Sequence, residues 1–312
     1  MGGNMRNQMR LASIPAISLS VGLLFVSAGY AAEAGPAPGE TLSQSYRESQ
    51  RNNLEYQMVE PFQVFDNLYY VGPGFVSVWL LETSEGLILF DAAEEPYVEH
   101  ILAGIRSFGF DPADIEYIII SHGHLDHFGG VPYIQDISGA RVAAMAEDWE
   151  MIAEVGTRPG RNNGPSPRVP ERDMALTQNQ TIVLGEATLT IHHTPGHTPG
   201  VTSTEFYVYD NGRPYRALLV GGSGARNNEF EDALYTSRLF GAMDIDVAVM
   251  NHSWLGESTF PRGGIFERAQ LLATRKPGDP HPFVDPDSWR EWVEAGRERS
   301  AAGLEALEAN GG

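Results

Sequence analysis

Ile118-Ile119-Ile120-Ser121-His122-Gly123-His124-Leu125-Asp126-His127-Phe128-Gly129-Gly130 places three imidazoles and a carboxylate within six residues, directly after an apolar run. Neutral imidazole nitrogens and carboxylate oxygens are the donors that zinc takes, and a catalytic zinc keeps one coordination position open for water. A single histidine is usually a hydrogen-bonded core or surface residue. Four donors at His-x-His-x-Asp-His spacing read instead as a metal site. A buried strand that ends in a glycine-containing turn aims His122 and His124 at one point, while Asp126 and His127 turn toward another. Two metal ions are therefore expected.

One loop cannot complete such a site, and two further turns supply donors. His197 stands in His192-His193-Thr194-Pro195-Gly196-His197-Thr198-Pro199-Gly200, where a strand over Ala187 to His193 breaks at Pro-Gly. His252 follows the β-type run Ile245 to Met250. Three histidine-bearing turns, each at the end of an apolar strand, converge on one edge of a sheet. His100 lies in a helical stretch, His281 in a proline-rich loop, and His192 and His193 within a strand; these four are read as surface or supporting residues.

The His-x-His-x-Asp-His motif, the Thr-Pro-Gly-His-Thr-Pro-Gly turn and the late strand-end histidine resemble the metallo-β-lactamase superfamily from about Pro61 to the C-terminal helix. Within it the stretch Asp66-Asn67-Leu68-Tyr69-Tyr70-Val71-Gly72 and the donor set look most like the third subclass of class B β-lactamases. The resemblance implies that His122, His124 and His197 hold a first zinc, and Asp126, His127 and His252 a second. Most superfamily hydrolases outside the lactamases place a bridging aspartate at the end of the strand after the Thr-Pro-Gly-His turn. Here the strand Tyr215 to Val220 ends in Gly221-Gly222-Ser223-Gly224, with no carboxylate. Third-subclass lactamases usually carry an Asp-Ser pair hereabouts, and glycines occupy those places. Ser223 and Arg226 are the nearest replacement anchors for a substrate carboxylate, although a glycine-rich loop is equally just a tight turn.

The implied chemistry needs no serine or cysteine nucleophile, because two zinc ions make a bridging water lose its proton near neutral pH. Asp126 orients that nucleophile and later carries its proton. Asp91, at the end of Leu87 to Phe90, is a candidate for orienting a ligand histidine, or else simply caps a strand end. The leading expectation is a zinc β-lactamase that opens a cyclic amide of a small-molecule substrate. A carboxylic-ester or lactone hydrolase on the same metal centre is the alternative, since fold does not fix substrate. A secreted metal-binding or ligand-binding protein without turnover is a third reading, against which the intact donor set speaks.

Arg6 and Arg10 precede an apolar stretch from Leu11 to Ala28 and small residues at Gly29, Ala31, Ala32 and Ala34, which reads as a signal peptide over residues 1–31, cleaved after Ala31 or Ala34. A periplasmic or secreted protein without a stable membrane anchor is expected. The chain has no cysteine and a formal net charge of −20. Disulfides, thiolate ligands and a lipid-attachment cysteine are thereby excluded, and nucleic-acid binding is a poor fit because it needs a basic footprint.

Residues 35–60 are polar and read as an N-terminal arm; 61–312 read as one hydrolase domain. Strands are expected over Phe62 to Phe65, Leu68 to Val71, Val76 to Glu82, Leu87 to Asp91, Ile115 to Ile120 and Arg141 to Met145. In the second half they are expected over Thr181 to Leu184, Ala187 to His193, a hairpin from Thr204 to Val220 around Asp210-Asn211-Gly212, and Ile245 to Met250. Helical spacing falls at Val98 to Ile105, near Val131, at Glu147 to Val155, Asp232 to Phe240, Gly264 to Ala273 and Asp287 to Leu307. Gly156 to Arg172 is aperiodic and reads as a long surface loop. Helices outside two facing mixed sheets give an α/β fold, an αββα sandwich.

Overall fold

The computed structural model describes residues 53–160, 163–252 and 263–310. The expected signal segment and the arm up to residue 52 lie outside the described residues. The end of the arm is a helical turn, α1 (Leu54–Gln57), started by the Asn53 side chain accepting from Tyr56 N.

The first sheet has seven strands in sequence order. β1 (Phe62–Phe65), β2 (Leu68–Tyr70), β3 (Trp79–Thr83) and β4 (Gly86–Phe90) form an antiparallel meander. β5 (Ile115–Ile119), β6 (Arg141–Met145) and β7 (Met174–Leu176) then add in parallel. Parallel neighbours need crossovers. α2 (Val98–Ser107) joins β4 to β5, α3 (Leu125–Phe128) and α4 (Val131–Ser138) join β5 to β6, and α5 (Ala146–Val155) follows β6. In the second sheet β8 (Thr181–Leu184), β9 (Ala187–His193), β10 (Thr202–Asp210) and β11 (Arg213–Val220) run antiparallel, with β12 (Val247–Met250) parallel to β11. α6 (Phe230–Gly241) precedes β12; α7 (Ile265–Ala273) and α8 (Pro286–Ala309) come after it.

Alternation along the strands sorts the core into three layers. Trp79, Leu81, Ile88, Phe90 and Ile119 face Leu189, Ile191, Phe206, Val208 and Leu219 between the sheets, where Phe90 stacks on Phe206 at 5.3 Å. The intervening Leu80, Leu89 and Ile118 pack against Ile101, Ile105, Val131 and Ile134 of the helices. On the far face of the second sheet, Leu218 and Val220 meet Phe240 of α6 and Trp289, Trp292 and Val293 of α8. Central strands covered on both faces carry continuous apolar runs, as Leu87 to Phe90 does. This is the expected αββα sandwich.

Several boundaries differ from the sequence expectations. The strand expected from Val76 begins at Trp79, because Val76 and Ser77 turn away to pair with the segment after β12: Val76 bridges His252, and Ser77 N donates to Asn251 O at 2.9 Å. β7 was not expected; three residues are too short for a pattern, and pairing with β6 makes the strand. β12 begins at Val247 rather than Ile245, and α6 begins at Phe230 rather than Asp232. No α-helix or strand occurs among the described residues of 156–172.

On the second sheet Arg216 grips Glu205 through Nε to Oε1 at 2.7 Å and Nη2 to Oε2 at 3.0 Å, and His192 Nε2 lies 3.2 Å from Oε2. Burial would raise the Glu205 pKa, but the hydrogen bonds from His192 and Arg216 outweigh it and hold the carboxyl at about 2. A depressed folded pKa stabilises above the unfolded value and is lost as pH falls toward the folded one. Glu205→Gln should therefore cost roughly 2–3 kcal/mol at pH 7 and much less near pH 2, read from urea unfolding at both pH values. An equal loss at both would show that packing, not charge, is what the substitution removes.

Candidate metal centre

The donors arrive from both sheets at one edge of the sandwich. β5 ends into the loop Ser121 to His124 and helix α3, the β9–β10 turn carries His197, and His252 follows β12. Thr202 N donates to Ser121 O at 2.7 Å and stitches the two sheets together there. Two groups result, His122–His124–His197 and Asp126–His127–His252, each with its donor atoms within 4.8 Å of one another. The groups adjoin, since the His122 and His127 rings are 4.0 Å apart. Every sequence-predicted donor is thus in one place.

The rings are oriented from behind. His122 Nδ1 donates to Gly221 O at 2.8 Å, His127 Nδ1 to Asp91 Oδ2 at 2.7 Å, and His252 Nδ1 to Phe75 O at 2.9 Å. Each bond fixes a tautomer that leaves the Nε2 lone pair facing inward. His122 Nε2 and His124 Nδ1 face each other at 2.8 Å, and His127 Nε2 and His252 Nε2 at 3.2 Å. An Asp126 carboxylate oxygen lies 4.0 Å from His127 Nε2 and 3.9 Å from His252 Nε2. Burial, reinforced by the neighbouring imidazoles, pushes the His122 pKa well below its ordinary value and that of His197 down to about 3. Neutral rings with converging lone pairs are the state that a divalent metal takes up, so the residues present fit one.

Asp91 does what the sequence suggested. It sits just after β4 in the left-handed region (φ 60°) and accepts from Ser121 N, Ser121 Oγ and His127 Nδ1, all at 2.7 Å. Asp148 was missed. Fully buried in α5, it accepts from Gly123 N at 2.6 Å, Thr198 Oγ1 at 2.7 Å and Gly200 N at 2.8 Å, tying the His122–His124 loop to the His197 turn. Asn251 was missed too: its Nδ2 donates to Gly221 O at 2.6 Å. An asparagine before a strand-end histidine was the one signal available.

The other histidines lie elsewhere. His281 stacks on Phe65 at 4.1 Å and donates to Val64 O, and His192 pairs with Glu205. Burial lowers the pKa of His100, which faces the backbone of Gly72 rather than the donor groups. His193 Nε2 donates to Pro199 O at 2.6 Å, bracing the His197 turn.

Arg226 is exposed, with Nη1 3.2 Å from His124 Nε2, and Ser223 is exposed on the same loop. At Gly221 a Cβ would overlap the Thr202 carbonyl, so no side chain fits, whereas Gly222 faces the donors, its Cβ position lying 3.2 Å from His197 Cβ and 3.3 Å from Val201 Cγ2.

The sequence model of the metallo-β-lactamase superfamily matches residues 71–210. Among solved structures, the fold is similar to BJP-1, a subclass B3 metallo-β-lactamase of Bradyrhizobium japonicum, at 31% identity and TM-score 0.67, over 81% of this chain and 96% of that one. It is also similar to native FEZ-1 metallo-β-lactamase from Legionella gormanii, at 27% identity and TM-score 0.70, over 80% and 97%. Curated relatives match over a shorter span: a hydroxyacylglutathione hydrolase of Pseudomonas paraeruginosa at 29% over 125 residues, 39% of either chain. An N-acyl homoserine lactonase, AttM of Rhizobium radiobacter, matches at 33% over 102 residues, 31% of this chain and 37% of that one. This chain thus spans about two fifths of the length of these curated relatives. With the donor geometry and a subclass B3 likeness that runs over nearly the whole of BJP-1, the chain belongs to the metallo-β-lactamase superfamily.

Proposed function

We propose that the protein is an exported zinc β-lactamase with two metal ions, His122, His124 and His197 holding one and Asp126, His127 and His252 the other. The observation that carries this reading is the pair of adjoining three-donor groups, with no carboxylate in the Gly221-Gly222-Ser223-Gly224 segment that follows β11. When bound, zinc polarises a carbonyl and lowers the pKa of water. The chain's own residues supply the rest. Asp126 orients the attacking water and takes its proton on a carboxylate oxygen. His122, His127 and His252, held through Nδ1, keep the donor positions fixed so that little rearrangement accompanies the reaction. Arg226 and Ser223 stand where a substrate carboxylate can be held.

A second reading, an ester, thioester or lactone hydrolase, is favoured by the hydroxyacylglutathione hydrolase and homoserine lactonase relatives. Turnover of penicillins, cephalosporins, carbapenems, lactones and p-nitrophenyl esters by the zinc-loaded protein, with elemental analysis, separates the two. β-Lactam hydrolysis at two zinc ions per chain is expected; turnover confined to lactones or esters would replace the proposal with the second reading.

Arg226 gives a sharper test. A charge-assisted hydrogen bond contributes roughly 1.5–3 kcal/mol. Arg226→Ala should raise KM for carboxylate-bearing β-lactams about tenfold or more and leave neutral esters unchanged. Equal losses on both classes would remove Arg226 from substrate binding.

A further inference from the structure

A cavity of about 270 Å³ adjoins the metal centre through His197, which lines it with Gly222 and with residues of helices α6 and α8. Phe230 and Phe240 from α6 and Trp292 and Val293 from α8 give it apolar walls, with Thr236, Ser237, Arg299 and Ser300 as polar groups beside them. The size approaches the lower end of ligand pockets, which are typically about 300–1,000 Å³ and mainly apolar with a few polar groups.

Gly296 is the second observation. It lies in the middle of α8, where glycine costs about 1 kcal/mol against alanine. Elsewhere in the same helix glycine has a packing reason: at Gly303 a Cβ would overlap the Phe230 ring. At Gly296 nothing forces it, for a Cβ there would lie 3.7 Å from Ser237 Oγ and 3.8 Å from Arg299 Nη2, ordinary contact distances. Gly296 lines the cavity, and so does Ser237 opposite it on α6. Two small residues facing one another between packed helices keep open a volume that larger side chains would fill.

We propose that this cavity is a subsite for an unbranched or aryl hydrocarbon arm of the substrate, carried on the acyl side of a carbonyl group placed at the metal centre. The inference rests on the hydrolase reading for the reacting group but not on which bond is cleaved. The apolar walls recognise the arm by burial, and the donor His197, which shares the lining with Gly222, sets where the arm must join the reacting carbonyl. A substrate with only a methyl or hydrogen in that position leaves the cavity unused.

The test uses the zinc-loaded full chain and two kinds of probe. Straight-chain alcohols from butanol to octanol, titrated calorimetrically, report on the cavity alone. p-Nitrophenyl acetate and octanoate report on its link to turnover. Parent affinity should rise about fourfold for each added methylene, and the octanoate ester should exceed the acetate in kcat/KM. Gly296→Ala should preserve both trends. Gly296→Leu, a good helix former, should weaken octanol binding at least tenfold and remove the octanoate advantage, leaving acetate unchanged; Ser237→Met should do the same from the opposite wall. Alcohol affinity that ignores chain length, or leucine and methionine variants that bind octanol as the parent does, overturns the proposal. Octanol binding that the fillers abolish, in a protein that cleaves no ester or lactam, keeps the cavity and discards the hydrolase substrates instead.

Discussion

Asp126→Ala should lower kcat on the best substrate by about 10³-fold, a barrier increase of about 4 kcal/mol, while circular dichroism and melting temperature stay close to those of the parent. The carboxylate is a donor within one three-residue group and the proton acceptor in the proposed reaction, so two functions go at once. Its side chain is 14% exposed and is a polar group outside the hydrophobic core, which is why the fold should survive. Zinc content should fall toward one ion per chain. His100→Ala is the control: its ring lies away from the donors, so specific activity should stay within about twofold even if stability drops. Matching losses in the two variants would mean that Asp126 is structural and the assignment wrong.

Asp148→Ala should be the most destabilising single change at the site. It strands two backbone N–H groups and a hydroxyl in the interior, each costing about 1–3 kcal/mol when left without a partner. A loss of about 3 kcal/mol or more in urea unfolding of the metal-free protein is expected. Zinc affinity should fall roughly 10–100-fold, as for other residues that support metal ligands, because the His122–His124 loop and the His197 turn lose their shared tether. Thr198→Val, which removes one of the three bonds, should cost about 1 kcal/mol. If Asp148→Ala unfolds like the parent and binds zinc as tightly, the tether has no energetic role.

The donors were legible because each lies at a strand end marked by its own apolar run: Ile118 to Ile120 before His122, Ala187 to His193 before His197, and Val247 to Met250 before His252. Strand periodicity and turn chemistry are local properties, and they placed both sheets and most helices. Asp148 was hidden for the same reason. In the first turn of α5 an acidic residue has a sufficient local explanation in the helix dipole. Its true partners, Gly123 and Thr198 to Gly200, are at least 25 residues away in sequence. The break at Val76 was likewise set from afar, by His252 and Asn251. The cavity left no mark on either helix except a glycine that helix propensity would have replaced.

The crowding at Gly221 bears on how this enzyme can change. An aspartate codon is one base away from every glycine codon ending in a pyrimidine, so a bridging carboxylate is within easy genetic reach of many glycine positions. At Gly221 that route is blocked by the Thr202 carbonyl, which is part of the β9–β10 ladder and is held in place by the pairing of Thr202 with His193. At Gly222 only the His197 and Val201 side chains stand in the way, at 3.2–3.4 Å. Laboratory selection for thioesterase-like activity should therefore recover an acid at position 222 and not at 221, a choice made by backbone sterics rather than by catalytic preference.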